Sequence, residues 1–408
     1  MLKLLFSREI FEKSFHSFGV NAPARKVARV KMPSFAILIL VAGLIAGIAQ
    51  DAPVPTISFT TNLGTSLRLS LTNAGTGKYS IQRSTNLSSW TSVNTLVLTN
   101  TTAGSLTVTN DRPAAFFRVA ALPSVTQGRA TTVVTSLLVC AGSRLSGVGT
   151  IVATDGTVWK VPAATAFRNG LKASDLYNDC SGFRPTNLSA VNLSSVPITE
   201  VDADGQIITG YLFGDNYFEL YVNGKLVGVD PVPFTPFNSC VVRFKAKSPI
   251  TYAVRLVDWE ENLGLGSETN NGSSFHAGDG GFIASFSDGT VTDSRWKAQT
   301  FYIAPLATTN CVVELPDGTR QSSTCTTSPT CNGTCFAMHY PLPPNWFAKT
   351  FNDAGWPAAT TYTEATVGVN NKPAYMNFLP QFSGAGAQFI WSSNLILDNE
   401  VIVRFTTP

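Results

Sequence analysis

The segment Val257-Asp258-Trp259-Glu260-Glu261-Asn262-Leu263-Gly264 sets three carboxylates, an amide and an indole at the end of the β-like run Tyr252-Ala253-Val254-Arg255-Leu256. In an extended chain Asp258 and Glu260 share one face and Trp259 and Glu261 the other, with same-face neighbours about 6.6 Å apart. Two chemistries fit that spacing. A glycoside hydrolase needs two carboxyl groups about 5 to 9.5 Å apart across a sugar cleft, which Asp258 and Glu260 could supply. Three adjacent acids without a separate partner also suit the coordination of calcium, which takes about six to eight oxygens. Asp258, Glu260 and Asn262 form the candidate metal set, joined by Asp215 and Asn216 or by Asp279. A solvated edge paired with Arg or Lys is the plain alternative.

The other polar candidates sit on loops. Asp215-Asn216 precedes the run Tyr217 to Val222, and the loop Ser274-Phe275-His276-Ala277-Gly278-Asp279-Gly280-Gly281 carries His276 and Asp279 among glycines that permit close backbone approach. The ligand-binding candidates are therefore Asp215, Asn216, Asp258, Trp259, Glu260, Glu261, His276 and Asp279, with Trp259 as the platform on which a pyranose would stack. Trp296 and Trp356 are expected in the core. No catalytic residue is assigned: no Gly-x-Ser-x-Gly elbow occurs, and His276 and His339 are the only histidines after residue 49, too few to favour a triad. Asp202-Ala203-Asp204-Gly205 opens like a calcium loop of the EF-hand type but has Phe213, not glutamate, at its twelfth position.

These candidates must be held by sheets. Residues 211 to 226 read as a strand and hairpin, with period-2 alternation from Tyr217 to Val222 and an Asn223-Gly224 pair suited to a tight turn. The chain has 408 residues, 44% of them apolar and 13% charged, which allows a large core and two or three domains. Frequent Phe, Gly and Pro, without runs of helix formers, predict an all-β protein. One short helix is expected between Leu171 and Cys180.

Arg25, Lys26, Arg29 and Lys31 precede an apolar run from Phe35 to Ala49, which reads as a signal peptide over 1–49. An uncleaved anchor is the alternative, although about 15 to 17 apolar residues is short for a bilayer span. Without that segment 22 basic and 24 acidic residues remain, a balance that disfavours a nucleic-acid partner. The expected place is secreted or at the cell surface, with no membrane contact after cleavage. Seven cysteines in an exported chain imply disulfides. Cys311, Cys325, Cys331 and Cys335 would staple one loop in any of three pairings, or hold zinc, while Cys140, Cys180 and Cys240 leave an odd thiol.

Two resemblances organise the chain. Tyr79-Ser80-Ile81-Gln82-Arg83-Ser84-Thr85-Asn86-Leu87-Ser88-Ser89-Trp90 followed by Phe116-Phe117-Arg118-Val119 resembles the fibronectin-III-like module of secreted planctomycete and verrucomicrobial proteins. That implies a bacterial source and a spacer of about seven short strands over 54–122. Asn216 to Gly224, Asp288 to Lys297 and Phe351 to Trp356, in this order, resemble the galactose-binding-like jelly roll found in bacterial α-L-rhamnosidases and in carbohydrate-binding modules. The resemblance covers about 206–408; the insertion 267–278, the cysteine loop 311–335 and the missing helical barrel depart from it. The chain then divides into 1–49 signal peptide, 54–122 fibronectin-III-like β-sandwich, 123–132 linker and 133–408 jelly roll with an N-terminal extension. The implied function is non-catalytic, lectin-like binding of an extracellular glycan, with calcium as the one candidate cofactor. A glycoside hydrolase using Asp258 and Glu260, and a structural envelope or matrix protein, are the alternatives.

Overall fold

The computed structural model describes residues 56–408 except 62–65, 73–76, 87–89, 99–102, 110–114, 135–139, 141–146, 263–264, 270–275, 316 and 328–333. The expected signal peptide and Cys331 lie outside the described residues. The described chain is all-β: antiparallel sheets dominate, and its one α-helix is the single turn Pro373–Met376. No helix among the described residues is long and apolar enough to cross a membrane.

The N-terminal unit consists of two three-stranded sheets. Thr56–Thr61, Ser66–Thr72 and Gly104–Thr109 form one, and Thr91–Leu98, Gly77–Ser84 and Phe116–Leu122 the other. Alternation works here as period-2 patterning requires: Leu67 and Leu69 face inward to meet Val108, Ile81 and Phe117 in a shared core. Six strands are present among the described residues where seven were expected.

The larger unit stacks two seven-stranded sheets. Ser174–Asn178, Asn238–Ala246, Gln206–Asp215, Gly281–Phe286, Phe389–Trp391 and Thr360–Tyr362 run in that order across one, with Ile198–Glu200 parallel to Asn238–Ala246. The other runs Lys225–Val229, Tyr217–Val222, Thr251–Val257, Asp398–Thr406, Lys297–Leu306, Phe336–His339 and Ser124–Gln127. Between them lie Leu212, Phe244 and Phe282 from the first sheet and Phe218, Leu220, Val254 and Val401 from the second.

The second sheet is covered on its outer face as well. Ala163 and Phe167 pack on Tyr217, Val257 and Trp259, while Tyr340 and Trp346 pack on Ala253 and Ile402. This explains why every residue of Thr251–Val257 is buried, as in sheets covered on both faces. A third small sheet, Thr131–Val134, Val148–Val152 and Val158–Val161, sets Ile151 and Val161 against Tyr302 and Ala304.

Several local expectations are corrected. The helix expected between Leu171 and Cys180 is the edge strand Ser174–Asn178, because pairing with Asn238–Ala246 buries Leu176 and Tyr177. Residues 123–132, read as a linker, include Ser124–Gln127, which extends the second large sheet by pairing with Phe336–His339. Cys140 bonds Cys180 and Cys311 bonds Cys325, so two members of the clustered four are joined to each other; Cys335 is also disulfide-bonded, and Cys240 is a buried free thiol. Zinc is thereby excluded for Cys311, Cys325 and Cys335.

The hairpin is where it was expected. Val222 pairs with Lys225, and Asn223 (φ 48°) and Gly224 (φ 89°) fill the two turn positions in the left-handed region. A Cβ at Gly224 meets nothing closer than 3.6 Å, so a side chain there is opposed by backbone strain alone. Replacing Gly224→Val is expected to lower unfolding stability by about 1–2 kcal/mol; an unchanged urea midpoint contradicts this turn.

Candidate functional site

At one end of the large sandwich, the chain leaving Thr251–Val257 enters a nest of acids. Asp258, Glu260 and Asp215 are electrostatic neighbours of one another and of Asp279 and Glu268. The nest is enclosed: Asp258 is 2% and Glu260 4% exposed, and Asp215 and Asn216 are buried too. Burial, followed by the neighbouring negative charges, raises the carboxyls of Asp215, Asp258 and Glu260 well above the ordinary range. Asp279, half-buried, is pushed up to about 6 by desolvation and then by Glu268.

Each of the other candidates has a structural partner. Asn216 accepts the Trp259 amide proton through Oδ1 at 2.7 Å and donates from Nδ2 to Asp215 at 2.9 Å. Glu261 accepts the amide proton of Thr269 at 2.8 Å. Asn262 donates to the Ser267 hydroxyl at 3.1 Å. His276 is half-exposed, with Nε2 3.2 Å from a Glu268 oxygen. Gly278 allows the nest to close: a Cβ there would fall 1.7 Å from a Glu260 oxygen.

Three expectations change as a result. Trp259 is not a platform. It is fully buried, its ring is edge-on to those of Tyr217 and Phe167, and its Nε1 donates to the Gly147 carbonyl at 3.2 Å. Asp258 and Glu260 do not flank a cleft, because the protein's own loops cover both. The metal set fits poorly as well. Asp258 Oδ2 and Glu260 Oε1 are buried without hydrogen-bond partners, but Asn262 is engaged by Ser267, and no group of three His, Cys, Asp or Glu among the described residues could hold a metal ion.

The histidines separate in the same way. His339 is buried between Tyr302 and Trp159, with ring centroids at 4.5 and 5.0 Å, and its Nε2 lies 3.1 Å from the Thr126 hydroxyl. Desolvation pushes its pKa down to about 3. It is a neutral ring in a core, held by two aromatic rings and the Thr126 hydroxyl, with Asp155 as an electrostatic neighbour.

A solvent-connected pocket of about 620 Å³ opens elsewhere, beside the strand Lys297–Leu306. Lys297, Gln299, Asp317, Arg320, Trp356 and Ser393 are among the residues that line it. Trp356 is half-buried and packs against Phe351 and Phe301, with centroids at 5.3 and 5.8 Å. Gln299 is fixed by donating to the Gly318 carbonyl at 2.9 Å. The Cys311–Cys325 bridge ties the loop that delivers Asp317 and Arg320. Lys297 and Trp356 stood in the sequence as motif positions, and Trp356, expected in the core, is instead half-buried at the pocket; nothing local marked the site, since 297, 320, 356 and 393 meet only when the sheet forms. A second cavity of about 580 Å³ lies near Tyr362 and Phe389; its one carboxylate, Glu364, already accepts from the Tyr375 hydroxyl at 2.6 Å.

Comparison with family models, curated proteins and solved structures finds no significant match for this chain.

Two titrating groups set opposing pH dependences over the same acid range. His339, depressed in the fold, contributes stability that is present above about pH 6.5 and lost as pH falls toward 3. Asp279, raised in the fold, contributes stability present at low pH that is lost as pH rises through about 6. In urea unfolding between pH 4 and 8, His339→Phe should lessen the loss of stability on acidification below about pH 6.5, and Asp279→Asn should deepen it. Variant curves that run parallel to wild type contradict the assignment.

Proposed function

We propose that this chain is an exported, non-catalytic carbohydrate-binding protein. A fibronectin-III-like unit presents a galactose-binding-like jelly roll, and the sugar sits in the pocket beside Trp356. The observation that carries the reading is that pocket. Its volume, about 620 Å³, falls in the range that takes a small ligand, and its walls combine hydroxyls, an amide and charged groups with an indole. Such a lining matches a sugar, which offers hydroxyls at its edge and C–H groups on its face. Enclosure of Asp258 and Glu260 counts against hydrolysis by that pair. We read the nest as proton-bearing and not as a calcium site, because Asn262 is engaged by Ser267 and Asn216 by Trp259 and Asp215, and no group of three His, Cys, Asp or Glu among the described residues could hold a metal ion. The acids then brace the end of the sandwich and bind no glycan.

A glycan array probed with the chain lacking 1–49 should show saturable binding to a restricted set of sugars. Trp356→Ala should weaken it by about tenfold or more, with the melting midpoint followed alongside because this ring also packs on Phe301 and Phe351. Flat signals across all sugars sink the reading and favour a structural envelope or matrix component. Calcium and chelator are expected to leave the melting midpoint unchanged; a rise with calcium reinstates Asp258 and Glu260 as metal ligands.

A further inference from the structure

The pocket beside Trp356 is unbalanced in charge. Arg320 lines it while only 9% exposed. Its guanidinium lies 3.7 Å from the centroid of Tyr340 and 5.0 Å from that of Phe301, and Nη1 donates to the Thr300 carbonyl. Its Nε has no partner. No carboxylate forms an ion pair with it among the described residues. Asp398, its buried electrostatic neighbour, is instead committed to the hydroxyls of Thr300, Ser392 and Ser322 at 2.7, 2.6 and 3.1 Å.

Lys297, which lines the same pocket, likewise has no ion pair among the described residues. The one acidic residue in the described lining is Asp317, which is exposed and caps its own turn by accepting from the Thr319 amide at 2.9 Å. A guanidinium withdrawn from water is costly unless an anion meets it. Stacking on Tyr340 and Phe301 fixes its plane, and Asp398 and Glu314 offset its charge only in part, without an ion pair among the described residues.

We infer that the pocket takes an anionic sugar, its carboxylate or sulfate ester meeting Arg320 and Lys297 while Trp356 receives the ring face. This rests on the proposed reading of the pocket as a sugar site and names the class of sugar. A planar fork of N–H donors suits both oxyanions, and arginine holds them with better geometry than a point charge does. Bulk attraction plays little part: beyond residue 49 the chain carries 22 basic and 24 acidic residues, so selectivity for anions must come from these two cations.

Calorimetric titration of the chain lacking 1–49 with oligogalacturonate, with dextran sulfate oligomers and with neutral dextran oligomers tests this. At least one anionic oligomer should bind about tenfold more tightly than the neutral one, and the two anionic arms show which oxyanion is preferred. Arg320→Gln should weaken the anionic ligand by about thirtyfold and leave neutral binding unchanged. Because Arg320 also stacks in the protein, Lys297→Gln serves as the second variant and should weaken the same ligand without shifting the melting midpoint. Equal affinity for neutral and anionic oligomers, or anionic binding unmoved by Lys297→Gln, overturns this inference while the carbohydrate reading survives. Binding by none of the three, together with a flat glycan array, removes both.

Discussion

Charge that enters the space around two stacked sheets must be compensated where it lies, because water is not there to do it. The large sandwich meets this constraint in several ways. Arg255, on the outer face of the second sheet, donates through Nε to Glu400 at 2.8 Å and has Glu219 within 4.0 Å. Burial alone would weaken the charge on that arginine; the two carboxylates more than offset it, and its pKa is raised. Arg404, fully buried, has Asp353 at 2.8 Å and the carbonyl oxygens of Trp346 and Ala348 as acceptors. In the acid nest no ion pair reaches Asp215, Asp258 or Glu260 among the described residues; Lys372 acts on Asp215 and His276 on Asp279, and the buried carboxyls are held well above the ordinary range. Arg320 meets the constraint only in part, by stacking on rings.

The two settings differ in how the charge is enclosed. In the nest, Asp215, Asn216, Asp258 and Glu260 are buried, Gly278 packs against Glu260, and the raised carboxyls are the consequence of burial and of one another's charge. At Arg320 the enclosure is one-sided. The guanidinium stacks on Tyr340 and Phe301, and Arg320 is among the residues that line the pocket. A chemical valency that the protein does not fill from its own residues is where a ligand is expected.

How much of this the sequence could reveal follows from the range over which each feature is encoded. The Asn223-Gly224 turn is local, since its positive φ angles are a property of two residues, and it was legible. Alternation located the inward residues Leu67 and Leu69 of the N-terminal unit because one face of that strand is less covered. It carried no such information for Thr251–Val257, buried on both faces by segments from 163 to 402. Trp259 misled for the same reason: nothing near it in sequence announces that Phe167 and Tyr217 will enclose it. The helix expected between Leu171 and Cys180 gave way to sheet pairing, a tertiary term that overrides local propensity. The two disulfide pairings and the pocket at Lys297, Arg320 and Trp356 depend wholly on long-range assembly, so no spacing rule could find them.

The enclosure of the acid nest is tested most directly by carboxyl ¹³C resonances of the chain labelled at Asp and Glu. Assigned signals of Asp258 and Glu260 are predicted to titrate well above the ordinary carboxylate range, with or without calcium. Titration of both near pH 4, the value of solvated side chains, would contradict enclosure of the nest and return these two residues to the list of groups free to meet a ligand.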